Sequence, residues 1–356
     1  MPDRRNVLIV GAGIIGASVA WHLARAGARV TIVDAGERGG IATRNSWAWI
    51  NASWGNPESY FRLRVHAMDE WRRLERELPD IRVAWVGGLL WELPPGQLEA
   101  FAAEHTAWGY DLRRVDAAGA QRIEPLLVTP PEFALHAPGE GAIEPLPVVQ
   151  TLLAAARRRG AAVIENMSVR SIRLRAGRVI GVETQLGVTD ADQVVIAAGA
   201  GTKPLAAGAG VALAVSARPA LLVVTKPHAK LLNGLVMPPG MQVRQTAEGR
   251  LVATASFDGT DPRIDAATVA TGVLHAMQDL LCGGASLAVD YHIVAHRPIP
   301  EDGFPIVGRS AAIEGLYLAV THSGITLAPL IGRYLTDEIL TGRRHPILAA
   351  YSPARY

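Results

Sequence analysis

The sequence predicts an α/β chain, α+β overall, in which a Rossmann-like dinucleotide-binding domain is interleaved with a mainly antiparallel β domain. Three observations carry this. The apolar run Val7-Leu8-Ile9-Val10 leads into Gly11-Ala12-Gly13-Ile14-Ile15-Gly16, and a second run, Val30-Thr31-Ile32-Val33, closes on Asp34. Between about Ala214 and Tyr291 the apolar period then switches towards two, as in antiparallel strands. A strand-then-helix pattern returns from Gly315 to Leu340. The helix-and-strand pattern thus brackets the β-rich stretches. We expect the dinucleotide-binding domain at residues 1–80, 144–212 and 296–356, and the second, substrate-binding domain at 81–143 and 213–295.

Taken in order, the first helix runs from Ile14 to Ala26 and ends at Gly27, a residue suited to a helix C-terminus. Thr43-Arg44-Asn45-Ser46 follows Gly39-Gly40 in a loop rich in backbone donors, and leads to Trp47-Ala48-Trp49. Phe61, Val65, Met68, Trp71 and Leu74 recur at helical spacing within a helix from Pro57 to Leu78. Val83 to Leu93 is strand-like, and Gln97 to Trp108 is helical. Glu144-Pro145 opens a helix that runs to Gly160. Ala162-Val163-Ile164, a meander from Val169 to Thr189 turning at Ala176-Gly177, and the strand Gln193 to Ile196 follow. A strand from Ala220 to Lys226 precedes the hairpin Gln242-Val243-Arg244 / Leu251-Val252-Ala253-Thr254, and a helix covers about Ala266 to Cys282. The last helix, Thr326 to Leu340, stops at Gly342.

Composition excludes several functions. A net charge of +2 from 35 basic and 33 acidic residues gives no nucleic-acid footprint. The single Cys282 forbids an intramolecular disulfide or a cysteine metal cage, and no metal site is expected. No apolar stretch reaches the roughly 18 residues of a membrane span. With strand one starting so near the N-terminus, no signal peptide is expected, and the expected location is cytoplasmic or peripheral to the inner membrane.

The glycine turn has a physical sense. Gly11 permits the tight turn, Gly13 lets the backbone approach a pyrophosphate, and Gly16 lets helix and strand pack closely. The helix start at Ile14-Ile15 offers N–H groups and partial positive charge to phosphates. Asp34, with Ala35 beside it, can accept from both ribose hydroxyls and would repel the extra phosphate of NADP.

The arrangement resembles the D-amino-acid-oxidase-like (DAO) family of FAD-dependent amine oxidoreductases, the group of glycine oxidase, sarcosine oxidase and D-amino acid dehydrogenase. The resemblance spans nearly the whole chain. It rests on the glycine turn with Asp34, on Glu144-Pro145, and on Ala162-Val163 to Val169, similar to the segment whose backbone meets the adenine. Val194 to Ala200, with Ala198 and Gly199, is similar to the second nucleotide-contacting strand. The most specific stretches are Arg297-Pro298-Ile299-Pro300-Glu301-Asp302-Gly303-Phe304-Pro305-Ile306-Val307-Gly308 and Gly315 to Pro329.

The resemblance implies an FAD enzyme that oxidises the C–N bond of a D-amino acid, glycine or N-alkyl glycine to an imine, with hydride passing to flavin N5. Such chemistry asks the protein for orientation and electrostatics more than for an acid–base pair. Ser323-Gly324-Ile325-Thr326 would begin a helix whose dipole faces the charge developing on the flavin. Arg297 would hold the substrate carboxylate with two parallel donors; otherwise it pairs with Asp302. His322 matches the family histidine before the flavin-facing turn, or is a structural histidine. Trp49 and Trp47 either wall the cavity or pack in the core, and strand alternation should split them between faces. His296 beside Arg297 could reach the cavity; Tyr291, His292, Arg244 and Gln242 are weaker candidates, and Arg62 and His66 read as a solvated helix face.

Two departures from sarcosine oxidase matter. No cysteine lies between Arg297 and Ile306, so the FAD should be non-covalent. No lysine occupies Arg250 to Ala253, which favours a quinone or dye over oxygen as electron acceptor. Alternatives within reach of the same residues are a 2-hydroxy acid dehydrogenase, a flavin subunit of a hetero-oligomeric amine dehydrogenase, and a non-catalytic flavin-binding scaffold. Homo- or hetero-oligomerisation is compatible with each.

Overall fold

The computed structural model describes residues 5–53, 55–257 and 265–356. Its elements begin with β1 (Asn6–Val10), α1 (Ile14–Arg25), β2 (Arg29–Val33), α2 (Ile41–Arg44), β3 (Trp49–Ile50) and α3 (Glu58–Glu77). Next come β4 (Gly88–Leu90), α4 (Pro95–Ala107), β5 (Arg113–Asp116), α5 (Ala117–Ile123), β6 (Phe133–Ala137), β7 (Gly141–Ala142) and α6 (Pro145–Arg158). Then follow β8 (Ala162–Ile164), β9 (Val169–Arg175), β10 (Arg178–Thr184), β11 (Gly187–Asp190), β12 (Gln193–Ile196) and α7 (Thr202–Gly208). The chain continues with β13 (Val215–Thr225), β14 (Leu235–Met237), β15 (Met241–Gln245), β16 (Leu251–Ala255) and α8 (Ala266–Leu280). It closes with β17 (Val289–Pro300), β18 (Ile306–Arg309), β19 (Leu316–Val320) and α9 (Gly324–Thr341).

Two large sheets divide these strands. A six-stranded sheet has the order β18-β19-β12-β1-β2-β8, parallel except where β18 runs antiparallel along β19. Alternation along β1 sends Val7 and Ile9 into a core shared with α1, α3, α6 and α9, and Leu8 and Val10 into one shared with β9, β10 and α7. Fold class agrees with the sequence reading, and β1, β2, β8, β12 and β19 fall on strands expected there. The meander β9-β10-β11 forms where expected, with Ala176 and Gly177 both at positive φ, the backbone a two-residue hairpin of right-handed twist requires.

Close approach of α1 and α9 depends on Gly332, where a Cβ would collide with Ser18 Oγ and His22 Nδ1. Within α9, Pro329 has no N–H for the carbonyl of Ile325 four residues earlier. The buried indole of Trp71 on α3 replaces it, donating Nε1–H to Ile325 O at 3.0 Å and to Thr326 O at 3.1 Å. This bond locks the first turn of α9 to α3.

The second sheet has eight strands in the order β17-β13-β16-β15-β14-β4-β6-β5. One face, with Leu221, Val223, Val243 and Ala253, is covered by α8; the other, with Leu222, Val224, Val252 and Ile293, packs with Trp47 and Trp49. β17 runs unbroken across residue 296, so the domain boundary expected there falls inside a strand. It continues because β13 begins at Val215, earlier than expected, and pairs with β17 up to Pro300. The strand expected over Val83 to Leu93 is only Gly88–Leu90, and β5, α5, β6, α7, β14 and β18 had no clear sequence signal, being four to seven residues or fewer with little periodicity to read. Among the described residues no helix is long and apolar enough to cross a membrane, and no group of three or more metal-ligating side chains occurs.

Candidate active site

At the glycine turn, Gly11 has φ +106 and donates to Val33 O at 2.8 Å; a Cβ there would lie 2.5 Å from Ala197 O. That close approach sets Ala197 and Ala198, at the end of β12, against the turn. A Cβ on Gly16 would overlap Gly11 O. A Cβ on Gly13 would meet only Thr43 Oγ1, at 3.2 Å, so the backbone there is bare on its outer side. Thr43 Oγ1 accepts from Ile14 N at 3.1 Å and so ties α2 to the start of α1. Of the four residues expected from that loop, Thr43 alone touches the turn with its side chain. Arg44 donates to Arg38 O, Asn45 to Ile41 O, and Ser46 Oγ accepts from Ala48 N.

Asp34 Oδ2 accepts from Ala12 N at 2.6 Å and Oδ1 from Gly36 N at 2.9 Å. Each oxygen keeps a second lone pair. Asp34 O also accepts from Met167 N, joining the end of β2 to the segment between β8 and β9 that leads to Val169. A clamp that sequence reading missed closes this end: Arg38 Nε donates to Glu165 Oε1 at 2.8 Å and Nη2 to Oε2 at 2.5 Å. Those bonds hold the Glu165 carboxyl down at about 2. Nothing local in the sequence pairs residues so far apart.

The start of α9 lies beside the start of α1. A Cβ on Gly324 would sit 3.8 Å from Ile15 Cγ1 and 4.0 Å from Ile14 Cγ2. Thr326 Oγ1 donates to Trp49 O at 3.1 Å, and Asn51 N donates back to it at 3.3 Å. Trp47 and Trp49, expected on opposite faces, are instead in edge-to-face contact at 5.2 Å. The cause is Ala48, whose φ of +67 breaks the strand alternation between them. Trp49 Nε1 donates to Glu140 Oε2 at 2.8 Å; the fully buried Glu140 also accepts from Tyr110 OH at 2.6 Å and Ser53 Oγ at 2.5 Å. Burial pushes the Glu140 carboxyl up. Trp49 is therefore held in one orientation by a buried acid that sequence reading did not single out.

Arg297 has an exposed side chain and, among the described residues, no carboxylate partner. Asp302, the alternative partner, is taken by Arg355: Nε to Oδ2 is 2.8 Å and Nη2 to Oδ1 is 3.2 Å. Desolvation, then the charge of Arg218, pulls the Arg297 guanidinium down from its usual value. His322 is lowered to about 4 by desolvation and then by the positive charges of Arg297 and Arg64. It is thus neutral at neutral pH and placed near Arg297, at the entry to α9. Arg64, buried and unforeseen, donates to Asn51 O at 3.0 Å and to Asn51 Oδ1. His296 does not join this group. In β17 it alternates with Arg297 and pairs with Pro219, which puts it on the α8 side of the sheet.

The weaker candidates separate too. Arg244 is buried and structural, donating to Trp47 O at 2.7 Å, to Glu144 Oε1 at 2.8 Å and to Ile143 O at 3.1 Å. Gln242 donates to Glu92 Oε1 at 3.3 Å, and burial raises the Glu92 carboxyl to about 7. Tyr291 and His292 are exposed. Arg62 is a solvated residue paired with Glu58, but His66 is not; its Nε2 is 2.7 Å from Tyr334 OH. Arg250, at the head of the stretch that carries no lysine, pairs with Asp290 at 2.5 Å.

The chemistry of these residues fits FAD. Backbone donors and bare glycines at the turn could take a diphosphate, and a carboxylate with free lone pairs could take a ribose. The starts of α1 and α9 meet beside them, and two buried donors, Trp47 Nε1 and Asn51 Nδ2, have no partner among the described residues. A family profile described as DAO, FAD-dependent oxidoreductase, matches residues 6–338. The chain is 29% identical to a glycine oxidase of Pseudomonas aeruginosa, with 98% of each chain covered. The solved glycine oxidase of Geobacillus kaustophilus superimposes with a TM-score of 0.90 at 26% identity, covering 99% of this chain and all of that one. Iminodiacetate oxidase (IdaA) from Chelativorans sp. BNC1 is 27% identical with a TM-score of 0.85, covering 98% of both.

Proposed function

The chain belongs to the DAO family of FAD-dependent oxidoreductases, and from that premise we propose that it oxidises the C–N bond of a small amino acid or N-substituted glycine to an imine, which water then hydrolyses. The observation that carries this reading is Arg297. It is a guanidinium without a carboxylate partner among the described residues, near His322 and the start of α9, on the sheet face shared with Trp47 and Trp49. A planar fork there can take a carboxylate by two parallel hydrogen bonds and fix which face of Cα is presented.

When bound, FAD supplies a hydride acceptor at flavin N5. The residues that would hold it are Gly11 to Gly16 and Thr43 at the diphosphate, Asp34 at the ribose, and Ser323 to Thr326 at the ring. The first turn of α9, tied down by Trp71, keeps its N–H groups and its partial positive charge fixed, where they would oppose negative charge on the bound ring. His322, being neutral, can hydrogen-bond a substrate amine without repelling it. Trp49, fixed by Glu140, would wall one side of the substrate cavity. No cysteine lies in 297–306, so the cofactor is non-covalent in this reading; no lysine lies in 250–253, which favours a quinone or dye as acceptor, and the location proposed is cytoplasmic.

A panel of glycine, sarcosine, D-amino acids and 2-hydroxy acids, added anaerobically to the purified holoenzyme, tests the proposal through bleaching of the flavin band. Reduction by an amino acid supports it. Reduction by the hydroxy acids alone would move the reaction to C–O oxidation.

A further inference from the structure

Arg218 and Arg297 are register partners, directly opposite each other on the antiparallel pair β13 and β17. Opposed residues of such a pair lie on the same face with Cβ atoms about 4.5–5.5 Å apart, and like charges there repel. Neither arginine has a carboxylate partner among the described residues, and both are exposed on the face that carries Leu222 and Ile293 towards Trp47 and Trp49. Other arginines of the chain do meet carboxylates, Arg38 with Glu165, Arg73 with Glu70, Arg355 with Asp302 and Arg244 with Glu144; what sets Arg218 and Arg297 apart is that they stand opposite each other on one face, the charge of Arg218 felt at Arg297. Two adjacent guanidiniums left unpaired beside a substrate site form a receptor for two negative charges.

We infer that the substrate is a dicarboxylate, an N-carboxyalkyl amino acid whose α-carboxylate binds Arg297 and whose second carboxylate binds Arg218. This rests on the amine-oxidation reading for the chemistry, and on the two arginines alone for the charge of the ligand. One carboxylate on Arg297 leaves the charge of Arg218 uncompensated; a second neutralises both cations. An N-carboxymethyl or N-(1-carboxyethyl) group on the substrate nitrogen puts its carboxylate a few bonds from the first, a span two long, opposed arginine side chains can bracket. His322 nearby adds no charge at neutral pH, and Arg64, the other cation acting on it, is turned to Asn51, so the two opposed guanidiniums set the charge that two carboxylates would match.

Two measurements on the purified holoenzyme test this. In the first, malonate and acetate, which the enzyme has no C–N bond to oxidise, are titrated while the flavin absorbance and the thermal midpoint are followed. Malonate should bind about 10-fold to 100-fold more tightly, the effect of one further charge-assisted contact. Arg218→Ala should bring that ratio close to one, Arg218→Lys should restore part of it, and Arg297→Ala should weaken both anions. In the second, iminodiacetate and sarcosine are compared by kcat/KM. Iminodiacetate should be preferred in the wild type, and Arg218→Ala should shrink the preference by a similar factor. A malonate to acetate ratio near one in the wild type, or one unchanged by Arg218→Ala, overturns the inference. If the malonate ratio behaves as stated but no amine reduces the flavin, the dianion site stands and the amine-oxidation reading falls.

Discussion

The indole N–H of Trp71 donates to the carbonyl of Ile325, the acceptor that Pro329 leaves without a helical donor. The first turn of α9 is thus fixed by a side chain of another helix, α3. Removing that donor leaves a buried carbonyl unpaired at a cost of about 1–3 kcal/mol. Trp71→Phe should therefore lower stability by at least that much in urea titration, and loosen flavin retention with it. A stable variant that held flavin as the wild type does would show that the first turn of α9 does not depend on Trp71.

His22 gives a pH dependence with a definite sign. Its Nδ1 donates to Ser18 O at 2.8 Å, so Nε2 is the acceptor for Arg73 Nη2 at 2.9 Å. Burial, chiefly, and the neighbouring Arg73 charge hold the ring down to about 3. Unfolded, it titrates near 6.5. As pH falls below 6.5 the unfolded chain binds a proton that the folded chain refuses, so stability is complete above 6.5 and declines towards 3. The decline is about 1.4 kcal/mol per pH unit. His322, lowered to about 4, acts in the same direction. Urea midpoints at pH 7 and pH 5 should differ accordingly, and His22→Gln should flatten the difference; an unaltered slope would assign it to other groups.

Asp34→Ala removes the acceptor of two backbone N–H groups and the proposed ribose contact. Hydrogen bonds to a charged group are worth about 1.5–3 kcal/mol each, so the variant should lose flavin on dialysis, read as a fallen ratio of absorbance in the flavin band to that of protein. Acid precipitation of the wild type should leave the yellow colour in the supernatant. Colour retained in the pellet would mean a covalent link.

Arg297→Ala should lower kcat/KM for an amino acid by about 30-fold to several thousand-fold, from the roughly 2–5 kcal/mol that losing one partner of a desolvated charge pair costs. The matching amine without its carboxylate should be far less affected. Arg297→Lys should recover part of the loss, because an ammonium keeps the charge without the fork. Equal losses for both substrates would make Arg297 a support for the fold.

Artificial dyes or quinones should turn the enzyme over faster than oxygen, since Arg250 is held by Asp290 and no lysine stands on β16. Peroxide formed at the rate seen with dyes would refute this.

By itself, the sequence determined the parts whose chemistry is local. Gly11, Gly13 and Gly16 are dictated by backbone geometry within one turn, Asp34 ends a strand visible as an apolar run, and the start of α9 follows from a strand leading into a helix at Ser323-Gly324. The tertiary structure alone decided which side chains share a face or a bond. Trp47 and Trp49 meet because one buried alanine has positive φ, and His296 leaves the site because β17 continues past it in strict alternation. Arg218 faces Arg297, Arg38 clamps Glu165, Glu140 orients Trp49 and Trp71 caps a proline gap. Each of these partnerships joins residues separated along the chain by dozens to hundreds of positions. Periodicity and turn chemistry act over a few residues, whereas strand register and helix packing set contacts across the whole fold.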